Sequence, residues 1–462
     1  MKQIHFIHTS DWHIGFMQYN KTERYLDFFK AADDVVKKII KIKPMFVLHT
    51  GDIFHNARPS PGTIRQVVRI LNRLKKENIP LFIIRGNHDG KSAKILESGG
   101  NTISLLRELK LVNYIDDEIM TEEYHGISGV SILGVGFYPG NILNEKIETL
   151  LRNSPDFLSN NDYKIIAFHA YVQGQLADFH HISINQVSKL GVDYIAAGHY
   201  HIPWKNEKLK LFAPGSTETT STNEWRRMDL KENICMYSSF YEIKSEYQDK
   251  WKNPQIIQHQ VLVRPKAMLS LETDTIENLR QSIINELLDK KKIIAKYEPS
   301  LLKHNPMALV NILYSKNQDD LRMVDLSGLE KETGYLHINI NMLGEKDRII
   351  ISADTLKNQD IEEILRDISG LPEEELDDFL NESMTLLQIF RDIPISRDMN
   401  TELFTEITNI LSSIDATNSG DDQPKIISFN NSPLKKEIQN DKDQMVEKKD
   451  NNLTKNKLED YF

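Results

Sequence analysis

The chain has one cysteine, Cys235, in 462 residues, which excludes a disulfide framework and fits a reducing interior. No apolar run approaches the roughly 18–20 residues that a membrane-spanning helix needs. The opening stretch MKQIHFIHTS alternates as a strand does and lacks the apolar centre of a secretory signal. These absences predict a soluble cytoplasmic protein with no membrane association. A basic excess is missing too: the formal net charge is −10, whereas a nonspecific nucleic-acid coat is normally basic. An enzyme acting on nucleic acid is not excluded, because bound cations and local Lys/Arg patches supply positive charge where it is needed. What remains is ordinary globular material, 40% hydrophobic and 27% charged, long enough for two or three domains plus flexible segments.

Short apolar strands alternate with amphipathic helices over the first 240 residues. Strands are predicted at Ile4–His8, Met45–Leu48, Leu81–Ile84, Val130–Val135, Ile165–Phe168, Tyr194–Ala197 and Leu209–Ala213, with helices at Lys21–Lys41 and Thr63–Lys76. This is the pattern of a layered α/β core, with central β-sheets flanked by helices. From about Val261 the texture changes. A strand through VLVRPKAMLSLET, a helix at Thr275–Asp289 and strands at Ala308–Tyr314, Tyr335–Ile340 and Ile349–Ile351 predict a smaller α+β domain over 260–355. Residues 358–415 are acidic and helical in pattern. Residues 417–462 are rich in Asn, Asp, Lys and Ser, too polar to offset chain entropy, and are expected to be disordered.

Five polar clusters fall where predicted strands run out into loops, which is where α/β scaffolds place their sites. They are SDWH with Asp11 and His13, GDIFH with Asp52, GNHD with Asn87, FHA with His169, and GHYH with His199 and His201. All seven side chains are oxygen or nitrogen donors, and none is a thiolate. Cleaving a phosphodiester requires charge stabilisation on the phosphoryl oxygens and an activated water, and two divalent cations supply both. Asp52 is the candidate bridging carboxylate. Imidazole and carboxamide donors suit Mn, Fe or Zn better than Mg.

The same five motifs resemble the signature motifs of calcineurin-like metallophosphoesterases. Within that superfamily the chain is most similar to the double-strand-break repair nucleases, the bacterial SbcD type and its archaeal and eukaryotic Mre counterparts. The match spans roughly residues 1–230, where TSDWHIG, GDIFH and APGST carry it, and continues more weakly through Val263–Pro265 into the second domain. The resemblance implies a metallophosphoesterase sandwich over 1–240 holding two Mn ions. One would lie among Asp11, His13, Asp52 and His201, the other among Asp52, Asn87, His169 and His199. It also implies that His88 contacts the scissile phosphate and that His55 seats a DNA end. Further implications are a 3′-to-5′ exonuclease and endonuclease activity, a capping domain that selects DNA, a helical segment that docks on an SbcC-type ABC ATPase, and a homodimer.

Other residues carry weaker readings. His8, His49 and Trp12 are expected to pack, His180 and His181 to lie in a solvated loop, and Asp89 to orient its neighbours. Arg65, Arg69 and Arg73, with Arg58 before them, form a solvated helix face or one that tracks phosphates. In the terminal KNKLEDYF, Leu458, Tyr461 and Phe462 fall at i, i+3 and i+4 and resemble a sliding-clamp-binding peptide, with Lys455 where Gln is usual. Two other functions suit the same chain: a stand-alone phosphoesterase on small or protein phosphate esters, and an adaptor joining ATPase and clamp.

Overall fold

Alternation of apolar side chains along the strands decides how the layers stack. The computed structural model describes residues 2–90, 100–121, 126–139, 142–176, 179–225, 230–272, 278–314 and 324–343. Strand β1 (Gln3–Thr9) turns Ile4 and Phe6 to one side and Ile7 to the other. β2 (Phe46–His49) divides Phe46 and Leu48 from Val47, and β3 (Leu81–Ile83) divides Phe82 from its neighbours. The short β4 (Asn113–Tyr114) ends the first sheet, and a second sheet begins with the edge strand β5 (Glu118–Met120), antiparallel to its neighbour. Its core strands are β6 (Val130–Val135), β7 (Tyr163–His169) and β8 (Tyr194–Gly198), completed by β9 (Trp204–Asn206) and β10 (Leu211–Ala213). Ile132, Ile165 and Ala196 face the first sheet and share one core with Phe6 and Phe46, while Leu133, Ile166 and Ile195 face away. Phe6 stacks on Phe46 at 4.9 Å and meets Tyr194 edge-on at 5.2 Å, so aromatic contacts join the two sheets.

Helices cover both outer faces. α1 (Thr22–Ile42) and α2 (Pro61–Lys76) bury Val35, Val36, Val67 and Leu71 on the first sheet. α2 begins where Ser60 Oγ accepts from the Thr63 amide at 3.1 Å, with Pro61 in the first turn. α3 (Thr102–Glu108) joins the same face, and α4 (Ile142–Asn153), α5 (Asp156–Ser159) and α6 (Ile184–Ser188) cover the second sheet. The result is a helix–sheet–sheet–helix sandwich. β1, β2 and β3 are parallel, as are β6, β7, β8 and β10.

The first sheet continues into the second half of the chain. Beyond α7 (Thr222–Trp225) and β11 (Leu230–Lys231), β12 (Ile234–Glu246) lies antiparallel to β1 and β13 (Gln255–Glu272) antiparallel to β12. The far half of β13 then pairs in parallel with β14 (Met307–Leu313), and β14 with β15 (His337–Leu343). The β12–β13 register jumps between Cys235, opposite Lys266, and Tyr237, opposite Leu262. Pro265 lies in that gap and cannot donate to the ladder, so the strand bends there as it leaves the sandwich. α8 (Leu279–Tyr297) packs Ile283, Ile284 and Leu287 against Ala308, Val310 and Ile312, and α9 (Leu329–Thr333) closes the layer.

A buried ionic lattice ties α1 to β13. Arg24 pairs with Asp27 at 2.8 Å and Glu218 at 3.2 Å, Lys266 with Glu218 at 2.6 Å, and Arg264 with Asp27 at 2.6 and 2.9 Å. Among the sequence expectations, the strand over Leu209–Ala213 starts at Leu211, because Glu207–Leu209 is a tight 3-10 turn and Lys210 has a left-handed φ of 53°. The strand expected at 349–351, the helical segment 358–415 and the tail 417–462 with Leu458, Tyr461 and Phe462 lie outside the described residues.

Candidate metal centre

Each cluster sits at or just past the carboxyl end of a parallel strand, and at four of the donors the backbone turns sharply to aim the side chain inward. Asp11, His13, Asp52 and His199 all have positive φ, at 53°, 46°, 57° and 82°. Such values are uncommon outside glycine and concentrate at functional sites. The glycines of the GN and GH pairs allow close approach. A Cβ on Gly86 would lie 2.0 Å from Asp52 Oδ1, and one on Gly198 would lie 2.0 Å from the Thr50 carbonyl.

The structure brings all seven donors together. Ligand atoms of Asp11, His13 and His201 lie within 4.8 Å of one another, as do those of Asp52, His169 and His199. Asn87 Oδ1 is 3.0 Å from His169 Nε2. Asp52 Oδ2 faces both groups, 3.3 Å from His169 Nε2 and 3.8 Å from His13 Nε2.

Hydrogen bonds fix which ring nitrogens point into the cluster. His169 Nδ1 donates to the Thr50 carbonyl at 2.7 Å, and His201 Nδ1 donates to Glu224 Oε1 at 2.9 Å. In the neutral rings both Nε2 lone pairs then point inward. His201 Nε2 meets His13 Nε2 at 3.0 Å and Asp11 Oδ1 at 3.6 Å. Asp11 Oδ1 and Asp52 Oδ2 are buried and have no hydrogen-bond partner. Lone pairs converging on lone pairs, with two orphaned carboxylate oxygens among them, is an arrangement that divalent cations satisfy.

The electrostatics make the same demand. Burial pushes the Asp11 carboxyl up. Burial would also raise Asp52, but His169, His13 and His88 outweigh it and hold that carboxyl well below its usual range. Burial alone would lower His169 and His201, yet neighbouring carboxylates push each up to about 9. His13 and His199 are lowered by burial and stay neutral. Two buried carboxylates thus draw positive charge onto the imidazoles, and cations at this point would replace those protons.

The residues around the cluster have distinct tasks. His88 receives its place from its amide, which donates to Asp52 Oδ1 at 2.8 Å, and from Nδ1, which donates to the His55 carbonyl at 2.8 Å. His55 stacks on Phe16 at 3.9 Å and on His88 at 5.0 Å; burial and His88 lower it to about 4. Asp89 does orient its neighbours, accepting from the amides of Asp52 at 2.7 Å, Gly86 at 2.9 Å and Phe54 at 3.2 Å. His8 is a buried core residue bonded to Tyr194 and Thr50, each at 3.0 Å. His49 packs edge-on to Trp12 at 4.8 Å, and Trp12 is fully buried. Arg58, Arg65 and Arg69 are exposed, whereas Arg73 is tied to Asp33 of α1.

Two features escape sequence reasoning. His181 does not lie in a solvated loop. It is buried beside Tyr171 and Phe137, accepts the Tyr171 amide at 3.0 Å, and lies 5.5 Å from the His199 ring. Its packing depends on aromatics from three separate loops, and no local spacing signals it. Glu224 is the second, a carboxylate with no motif of its own that meets His201 through the tertiary fold.

Residues 4–203 match the calcineurin-like phosphoesterase family. The chain is 30% identical over 234 residues to the DNA double-strand break repair protein Mre11 of Methanococcus maripaludis, covering 50% of this chain and 61% of that protein. For Mre11 of Archaeoglobus fulgidus the identity is 28% over 320 residues, covering 64% and 68%. The chain therefore spans less than two thirds of the first relative and about two thirds of the second. A solved dimetal phosphatase from Danio rerio overlaps with a TM-score of 0.35 at 12% identity, covering 56% of this chain and 99% of that one. Over residues 4–203 the chain is thus similar to the calcineurin-like phosphoesterases, and the relatives it resembles among them are archaeal Mre11 proteins.

Proposed function

We propose that this protein is a Mn-dependent DNA nuclease that processes double-strand ends during repair by homologous recombination. The observation that carries the reading is the pair of buried carboxylate oxygens, Asp11 Oδ1 and Asp52 Oδ2, which have no hydrogen-bond partner and face imidazole nitrogens at 3.3 to 4.0 Å. Asp11, His13, Asp52 and His201 would hold one cation, and Asp52, Asn87, His169 and His199 the other. The pair would neutralise charge on the phosphoryl oxygens and make a water nucleophilic. His88 is held by its Nδ1–H bond to the His55 carbonyl, so Nε2 is the nitrogen that meets the phosphate and aids the departing oxygen. His55, braced on Phe16, seats the DNA end.

DNA as substrate, rather than a small ester, is supported by the archaeal relatives, which are named as DNA double-strand break repair proteins and one of which aligns with 64% of this chain. On the family resemblance of its motifs, we further propose that 260–355 caps the site and selects DNA, that 358–415 docks on an SbcC-type ATPase, and that the chain forms a homodimer that cuts 3′ to 5′ and internally. Clamp binding through Leu458, Tyr461 and Phe462 is proposed on their spacing alone. The test is cleavage of an end-labelled duplex with Mn²⁺, beside a small phosphate ester. Asp52→Asn and His88→Ala are expected to abolish cutting while the fold persists. Normal cutting by both variants, or turnover of the ester alone, would overturn the proposal.

A further inference from the structure

We propose that Glu224 is the positioning residue for His201 and so sets the affinity of one of the two cation positions. This rests on the two-cation reading above. A carboxylate oxygen 2.9 Å from His201 Nδ1 makes that nitrogen the N–H and leaves Nε2 as the lone pair facing Asp11 and His13. Glu224 is 7% exposed and its carboxylate is itself fixed. Oε2 accepts the Thr220 amide at 2.8 Å, and Oε1 accepts the hydroxyls of Thr220 at 2.5 Å and Ser221 at 3.2 Å. The Thr220 hydroxyl oxygen also lies 3.1 Å from His201 Nδ1 and can share its proton.

The two positions are built differently. His169 is oriented by the Thr50 carbonyl, which is backbone next to β2 and moves only with the sheet. His201 is oriented by a side chain on the single turn of α7. The segment leading into that turn is held from outside the cluster: Gln18 Nε2 donates to the Thr220 carbonyl at 2.7 Å, Arg24 Nη2 to the Thr219 carbonyl at 3.0 Å, and Glu218 pairs with Lys266 of β13. The packing of β13 is thereby linked through the Glu218–Glu224 segment to a cation ligand. The cation position served by His201 is the one whose affinity such packing can tune.

The experiment titrates the full chain with Mn²⁺, reading binding by calorimetry and spin coupling by electron paramagnetic resonance, with circular dichroism as a check on folding. Wild type is expected to bind two ions. Glu224→Gln keeps an acceptor oxygen at Nδ1 and should bind both within about threefold of wild type. Glu224→Asp keeps the charge but cannot reach Nδ1, and should weaken one ion about 10- to 100-fold while the other is unchanged. Glu224→Ala should match the aspartate variant. Two ions bound by folded Glu224→Asp with wild-type affinity would overturn the positioning role. Failure of wild type to bind Mn²⁺ would instead refute the two-cation reading on which it rests.

Discussion

Replacing Asp89 by alanine should loosen the Asp52 loop while leaving every proposed cation ligand in the sequence. The Asp89 carboxylate is 1% exposed and accepts three backbone amides, those of Asp52, Gly86 and Phe54. Alanine leaves three buried N–H groups without acceptors, at about 1–3 kcal/mol each. Part of this is offset. Burial and the nearby Asp52 carboxylate push Asp89 up to about 7, so the native charge is itself unfavourable by a few kcal/mol once ionised. The net loss should be about 3 kcal/mol, which for a domain of this size lowers Tm by about 6–12 °C. Asparagine keeps one oxygen for Asp52 and Gly86 but turns its NH2 toward the Phe54 amide, and should cost about 1 kcal/mol. Because Asp52 holds a left-handed φ of 57° only while its amide is anchored, the alanine variant should also bind Mn²⁺ at least about tenfold more weakly. Scanning calorimetry of the metal-free protein and a Mn²⁺ titration measure both effects. A wild-type Tm together with wild-type Mn²⁺ affinity in Asp89→Ala would refute the anchoring role.

Two further outcomes follow from the charge arrangement. Burial would raise the Glu218 carboxyl, but Arg24 and Lys266 hold it down at about 2, below an ordinary value near 4.5. A depressed carboxyl stabilises the fold above its unfolded pKa and loses that contribution as pH falls toward the folded one. The stability difference between wild type and Glu218→Gln should therefore be constant above about pH 5 and shrink by about 3 kcal/mol between pH 4.5 and 2, followed by urea unfolding. On α2, Arg65→Glu with Arg69→Glu should weaken duplex binding and lower the slope of log affinity against log salt by about 2, if that exposed face tracks phosphates. An unchanged slope would make it a merely solvated face.

Much of the fold can be read from the chain because local pattern and tertiary role agree. FIH, MFVLH and LFIIR are apolar on both faces since each strand lies between a helix layer and the other sheet. The donor clusters stand out because each ligand must follow a strand end, and at GD, GN and GH a glycine must precede it so that loops can cross at short range. Agreement fails where one element serves two layers. β12, ICMYSSFYEIKSE, mixes polar and apolar residues, because Ser238 and Ser239 cap the Thr217 and Pro214 carbonyls while Phe240 and Ile243 fill separate cores. The helix expected to end at Asp289 continues to Tyr297, past the charged run Lys290–Lys292, because Ile294 still reaches the core of the second layer. Glu224 is invisible in sequence for a related reason. Its meaning lies in a 2.9 Å contact with a ring 23 residues away, and no period or spacing encodes that contact.

The central claim is that seven donors hold two cations around Asp52. Crystals grown with Mn²⁺ and measured at the manganese absorption edge test it most directly. The account predicts two anomalous peaks about 3.5–4 Å apart, one among Asp11, His13 and His201 and one among Asn87, His169 and His199, with Asp52 touching both. A single peak, peaks elsewhere, or an Asp52 carboxylate that contacts neither ion would contradict it.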